Sequence, residues 1–63
     1  MGARRQEEPL WDLKQIAEHL NVTERWVRRE GPTYGLPLLR IGGLIRAKPT
    51  DIYAWVDQQR EYE

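Results

Sequence analysis

The sequence of 63 residues contains no cysteine and no serine, and its one histidine is His19. Without cysteine there is neither a disulfide framework nor a thiolate metal site, and a lone imidazole cannot build a histidine-rich one. The usual activated nucleophiles reduce to threonine or lysine with a single histidine as base, which argues against an enzyme. No metal and no cofactor are expected. No apolar run approaches the roughly 20 residues that span a bilayer, and the segment Met1-Gly2-Ala3-Arg4-Arg5-Gln6-Glu7-Glu8 lacks the apolar stretch of a secretory signal. The expected location is therefore the cytoplasm, away from any membrane.

Net charge is missing as well: the formal sum is zero. Its distribution is uneven. Residues 23–48 carry Arg25, Arg28, Arg29, Arg40, Arg46 and Lys48 against Glu24 and Glu30, a local sum of +4, and the remainder carries the balancing −4. A neutral chain divided in this way can present one basic face to phosphates. A chain of this size makes one small domain, which buries only about 60% of the surface its unfolded form exposes, so packing alone has to stabilise it.

Residues 1–9 are polar, end in Pro9 and have no apolar period, and are read as a flexible arm; the domain proper is expected over 10–63. Leu13, Ile16, Ala17 and Leu20 form one apolar stripe at helical spacing, with Asp12 as N-cap and Gln15 completing a capping-box spacing, which predicts a helix over 13–20. Asn21 tolerates the left-handed conformation that ends a helix. Thr23 caps a second helix over Glu24–Glu30, stopped by Gly31-Pro32, where glycine suits the position after the helix end. Residues 31–37 read as a loop. Leu38–Ile41 and Leu44–Lys48 flank Gly42-Gly43 and read as a hairpin with a primed turn, with Arg40 and Arg46 on exposed positions. Pro49 opens a third helix, expected over about 49–61, with Ile52, Trp55 and Val56 on its apolar side.

Two short helices joined by a tight turn are the helix-turn-helix unit, whose second helix lies in the major groove. Ala17 is small where the helices cross, and Val22 and Val27 are expected buried against the first helix. The fold class is then α+β, mostly helical: a winged helix-turn-helix of three helices, with a two-stranded hairpin wing between the second and third. Burial of Val27 turns Glu24, Arg25, Arg28 and Arg29 outward, with Thr23 and Trp26 at the leading end. An arginine can bond guanine O6 and N7 in a bidentate way, so Arg25 and Arg28 are candidate base readers and Arg29 a candidate phosphate contact. The wing would bring the side-chain-free tip Gly42-Gly43 to the backbone or minor groove, with Arg40, Arg46 and Lys48 at its base.

The motifs Ile16-Ala17-Glu18-His19-Leu20-Asn21-Val22-Thr23, Leu36-Pro37, Arg40-Ile41-Gly42-Gly43 with Arg46, and Asp51-Ile52-Tyr53-Ala54-Trp55-Val56 carry a family resemblance. From Leu10 to Val56 the chain resembles the small excisionase-type, MerR-like winged-helix domains of phages and mobile elements. The resemblance implies Thr23, Arg25, Trp26, Arg28 and Arg29 in a recognition helix and Arg46 in a wing. It also implies a recombination directionality factor: one that binds repeated sites on double-stranded DNA beside an attachment sequence, bends it alongside further copies of itself and directs an integrase toward excision in a bacterial host. The same family includes small transcriptional regulators. Three positions depart from its pattern: Trp26 stands for a small polar residue, Leu44 for a common wing-tip arginine and Asn21 for glycine.

Plainer readings stand beside these. The arginines of 25–29 are also what the solvated face of a surface helix looks like, and a competing reading uses them with Trp26 and Tyr34 in a protein-interaction adaptor. Trp26 is either a rim residue packed on Tyr34 or a base contact, and Glu24 either favours the helix dipole or reads cytosine. Trp11 and Trp55 are expected in the core, and His19 at an exposed or rim position without a ligand.

Overall fold

The computed structural model describes residues 9–59. The arm expected over 1–9 lies outside these residues except for Pro9, as does the expected continuation of the third helix beyond Gln59. The described residues form three α-helices and a three-stranded antiparallel sheet.

The chain enters as a two-residue strand, β1 (Trp11–Asp12), and Asp12 at once caps helix α1 (Leu13–Leu20). Its carboxylate accepts the Gln15 N–H at 2.8 Å while the Gln15 side-chain oxygen accepts the Asp12 N–H at 3.0 Å, satisfying two backbone donors reciprocally. Ile16 and Ala17 of the apolar stripe are buried, and Leu13 and Leu20 pack half-buried beside them. Asn21 is left-handed, with φ 61° and ψ 43°. Its N–H donates to the Glu18 carbonyl at 3.2 Å, and the Val22 N–H donates to the Ala17 carbonyl at 3.0 Å, the two bonds of a Schellman turn. Val22 is half-buried against the core, less than the full burial expected of it.

Helix α2 (Glu24–Glu30) follows within three residues, with Val27 fully buried. Its end differs from expectation. Gly31 has right-handed backbone angles, φ −49° and ψ −51°, and leads into a single 3-10 turn, Pro32–Tyr34, inside the segment read as a loop. Glycine is needed here for space. Gly31 is buried, and an added Cβ would collide with the Val27 carbonyl oxygen and lie 2.9 Å from Leu36 Cδ2. Its carbonyl accepts the N–H groups of Tyr34 and Leu36, both at 3.0 Å, which turns the chain back so that Leu36 enters the core.

Strands β2 (Leu39–Ile41) and β3 (Leu44–Ala47) pair with Leu39 opposite Arg46, Arg40 opposite Ile45 and Ile41 opposite Leu44. The two turn residues have φ 58° at Gly42 and 87° at Gly43, as a primed turn requires. The expected two-stranded hairpin gains a third strand, because β1 pairs along the other side of β3 through Trp11 opposite Ala47 and Asp12 opposite Arg46. Helix α3 (Pro49–Gln58) begins with proline at its first turn, and the N–H groups of Asp51 and Ile52 donate to the Lys48 carbonyl.

Ile16, Ala17, Val27, Leu36, Ile45, Ala47 and Ile52 form the buried core, drawn from all three helices, β3 and the segment after the 3-10 turn. Trp11 and Trp55, expected in the core, are half-buried at its edge. An indole N–H has to find a partner when buried, and that of Trp55 finds the Tyr34 carbonyl at 3.0 Å, tying α3 to the 3-10 turn. The Trp11 ring lies 4.9 Å from His19 and 5.7 Å from Tyr53, which are themselves 5.2 Å apart, so β1, α1 and α3 share an aromatic cluster at the surface. Val56 is also more exposed than its place in the stripe implies.

The closeness at Gly31 and the left-handed turn at Asn21 set two stability expectations. Gly31→Ala overpacks the contact with the Val27 carbonyl and Leu36 and costs about 1–3 kcal/mol, and Asn21→Ala costs about 1 kcal/mol through the left-handed backbone. Urea unfolding reads both as a lower midpoint at unchanged slope; a wild-type midpoint for Gly31→Ala would contradict the packing described.

Candidate nucleic-acid interface

Thr23 fixes the start of α2. Its backbone is extended, and its hydroxyl oxygen accepts the Trp26 N–H at 3.0 Å, which satisfies one of the donors a helix leaves open. Val27 and Gly31, one turn apart, are the buried positions of this segment. With about 3.6 residues per turn, Arg25 and Arg29 fall on the opposite, solvent side. Arg28 lies on one flank of that face and Trp26 on the other, and all three arginines are exposed. Glu24 is exposed in the first turn, where a negative charge favours the helix dipole. Thr23, Arg25, Trp26, Arg29 and Glu30 line a shallow depression of about 320 Å³.

Trp26 is half-buried and stacks on Tyr34, with ring centroids 5.7 Å apart and planes inclined by 14°. Tyr34 itself is exposed. Packing on Tyr34 was one of the two uses foreseen for Trp26. The stacked pair closes one side of the arginine face and braces it through the Trp55 bond to the Tyr34 carbonyl.

The hairpin distributes its candidate residues over two faces. Residues opposite each other across paired strands point to the same side, and neighbours along a strand alternate. Ile45 and Ala47 define the inner face, which is buried. Arg40 shares that face by register, yet is exposed near the tip. Arg46 belongs to the outer face. It is half-buried rather than exposed as expected, because its side chain turns back and donates from Nη1 to the Ile45 carbonyl at 2.8 Å. Gly42 and Gly43 form the bare tip, and Lys48 is exposed where the chain enters α3. Val27 beneath the arginine face and Ile45 beneath the hairpin meet in the same core, so both groups of candidate residues stand on one foundation.

Ile41 and Leu44 had no place among the candidate residues. They face each other next to the glycine turn and are 51% and 55% exposed. The signal was present in the sequence: two residues directly flanking a two-residue turn must pair, and alternation from Ile45 puts both on the outer face. Among the described residues no group of His, Asp or Glu could hold a metal ion, and no helix is long and apolar enough to cross a membrane.

The chain matches no family model, no curated protein and no solved structure. Chemical reading of this surface therefore rests on its own geometry: three exposed guanidinium groups on one short helix, an aromatic pair at their side, and a glycine-tipped hairpin flanked by cations.

The Thr23 cap is the local device that holds this helix start. Thr23→Ala is expected to cost about 1 kcal/mol, which lowers the thermal midpoint of so small a domain by about 4–8 °C, with Thr23→Ser near wild type. An unchanged midpoint for Thr23→Ala, followed by circular dichroism, would show that the cap contributes nothing.

Proposed function

We propose that the chain is a sequence-specific DNA-binding protein of winged helix-turn-helix type, with α2 in the major groove and the β2–β3 hairpin as its wing. One observation carries the reading above the others: the Schellman turn at Asn21 and burial of Val27 leave Arg25 and Arg29 at the centre of an exposed helical face with Arg28 on its flank. Their central position favours Arg25 and Arg29 as readers of base edges, each bidentate pair with guanine discriminating by about 1–3 kcal/mol. Arg28, on the flank, suits a phosphate. This exchanges the roles first assigned to Arg28 and Arg29 from sequence. Thr23, Glu24 and Trp26 border the same contact, and Arg40, Arg46 and Lys48 serve the wing around Gly42 and Gly43.

The resemblance to excisionase-type domains supports a narrower role. Acting in the cytoplasm of a bacterial host, the protein binds repeated sites beside an attachment sequence, bends the DNA and directs an integrase toward excision. Bending a site of 20–30 base pairs by 40–90° costs on the order of 1–6 kcal/mol, so several copies side by side share the work. The acidic remainder of one copy, summing to −4, offers a partner for the +4 segment of its neighbour.

Gel shifts on attachment-site DNA with the cognate integrase test the role. The expected pattern is several evenly stepped bands and stimulated excision. A single operator band without stimulation would assign the chain to transcriptional regulation instead. Arg25→Ala and Arg29→Ala are each expected to cost about 1–3 kcal/mol of affinity and relax the sequence preference, whereas Arg28→Ala weakens all sequences alike and lowers the salt slope by about one. If all three left DNA affinity unchanged at fixed salt, the arginine face with Trp26 and Tyr34 would belong to a protein-interaction adaptor.

A further inference from the structure

The outer face of the hairpin has no partner within the described fold that would cover its tip. Ile41 and Leu44 form a directly opposed pair there, each about half exposed, with half-buried Leu39 and Arg46 as the next opposed pair toward the base. The turn beyond them carries no side chain. Around this apolar tip the chain is cationic: from Gly31 to Thr50 the sequence contains Arg40, Arg46 and Lys48 and no acidic residue. An apolar pair with cations elsewhere on the same hairpin fits a polyanion whose interior is apolar.

We propose that Ile41 and Leu44 act as an apolar wedge in the minor groove of the bound DNA, an inference that rests on the DNA-binding reading above. The minor groove of B-form DNA is about 6 Å wide, narrower than a two-stranded hairpin, so the tip enters only as the groove opens. The two glycines give the tip its smallest profile, and the opposed isoleucine and leucine reach the opened groove behind it. Aliphatic side chains in this position pack against sugars and part-open a base step, kinking the duplex toward the major groove. Arg40, on the other face of the hairpin, and Lys48, at its base, remain outside to meet the phosphates that line the groove. The wing thus contributes affinity in two separable ways: an apolar contact that salt does not screen, and cationic contacts that it does. Charge decides against a symmetric contact between two tips, which would bring two cationic hairpins together, and the acidic remainder of a neighbour matches the cations and not the apolar pair.

The test uses the full chain and a duplex that the wild-type protein enriches from a random-sequence pool, labelled at its two ends for energy transfer. Ile41→Thr combined with Leu44→Thr keeps strand-forming residues at both exposed positions, and is expected to weaken binding about tenfold through lost apolar burial. Its salt slope should stay that of wild type while the protein-induced approach of the DNA ends is lost. Leu44→Arg is expected to retain binding with a steeper salt dependence by about one and a smaller bend. Wild-type affinity and bend in the double variant, or a wild-type bend in Leu44→Arg, overturns the wedge and leaves the proposed function standing. Loss of self-association in sedimentation at unchanged DNA affinity also overturns it, and gives the face to a second copy. Failure of the wild-type chain to enrich any duplex overturns the DNA-binding reading itself, and the wedge with it.

Discussion

The bond from the Val22 N–H to the Ala17 carbonyl, 3.0 Å long, closes the turn on which the rest of the molecule depends. It requires Asn21 to be left-handed and so reverses the chain within three residues of the end of α1. Ala17, nearly fully buried, keeps the crossing tight on the same side. Once α2 leaves the turn in this direction, Val27 is committed to the core beside Ile16 and Ile52, and the arginines are committed to solvent. The charged face is therefore a consequence of backbone geometry: the helix has no other way to bury its one interior valine.

The second constraint is size. Seven buried residues make the whole described core, and no polar or charged side chain is buried among them. A domain that small has little margin, which explains why so many local devices cooperate with the packing: a capping box at Asp12, a threonine cap at Thr23, a primed Gly-Gly turn and proline at the start of α3. It also explains the surface aromatics. Trp11, Trp55 and Trp26 are too large for the interior available and cover its edges, each held by neighbouring rings or by a hydrogen bond to a distant carbonyl.

Elements with a strong local cause were legible in the sequence. Helix α1 and its capping box, the turn at Asn21, the Thr23 cap and the Gly42-Gly43 hairpin all follow from residues within a few positions of one another. The misses depend on contacts that composition and periodicity do not encode. Strand β1 is two residues long, too short to show any period, and exists only because β3 offers an edge to Trp11 and Asp12. Gly31 is required because a Cβ would meet the Val27 carbonyl oxygen and Leu36, a closeness the sequence does not announce, so the position reads there as an ordinary helix stop. Arg46 has the alternation of an exposed residue, and its return to the Ile45 carbonyl is a side-chain choice invisible to patterning. Among candidate site residues, helical geometry alone brought Thr23, Arg25, Trp26, Arg28 and Arg29 to one helix face and its edges, and the glycine turn with strand alternation likewise implies an outward pair of Ile41 and Leu44, whose half exposure the structure adds.

The central proposal is that α2 and the hairpin together meet duplex DNA. The aromatic cluster of Trp11, His19 and Tyr53 contains no arginine and lies outside the proposed contact. Titrating the isotopically labelled chain with duplex DNA and following its backbone amide resonances separates the two most directly. The account predicts saturable shifts concentrated in residues 23–30 and 40–48, with the amides around Trp11, His19 and Tyr53 unmoved. Shifts centred on that aromatic cluster, or no shifts at any DNA concentration at low salt, would contradict it.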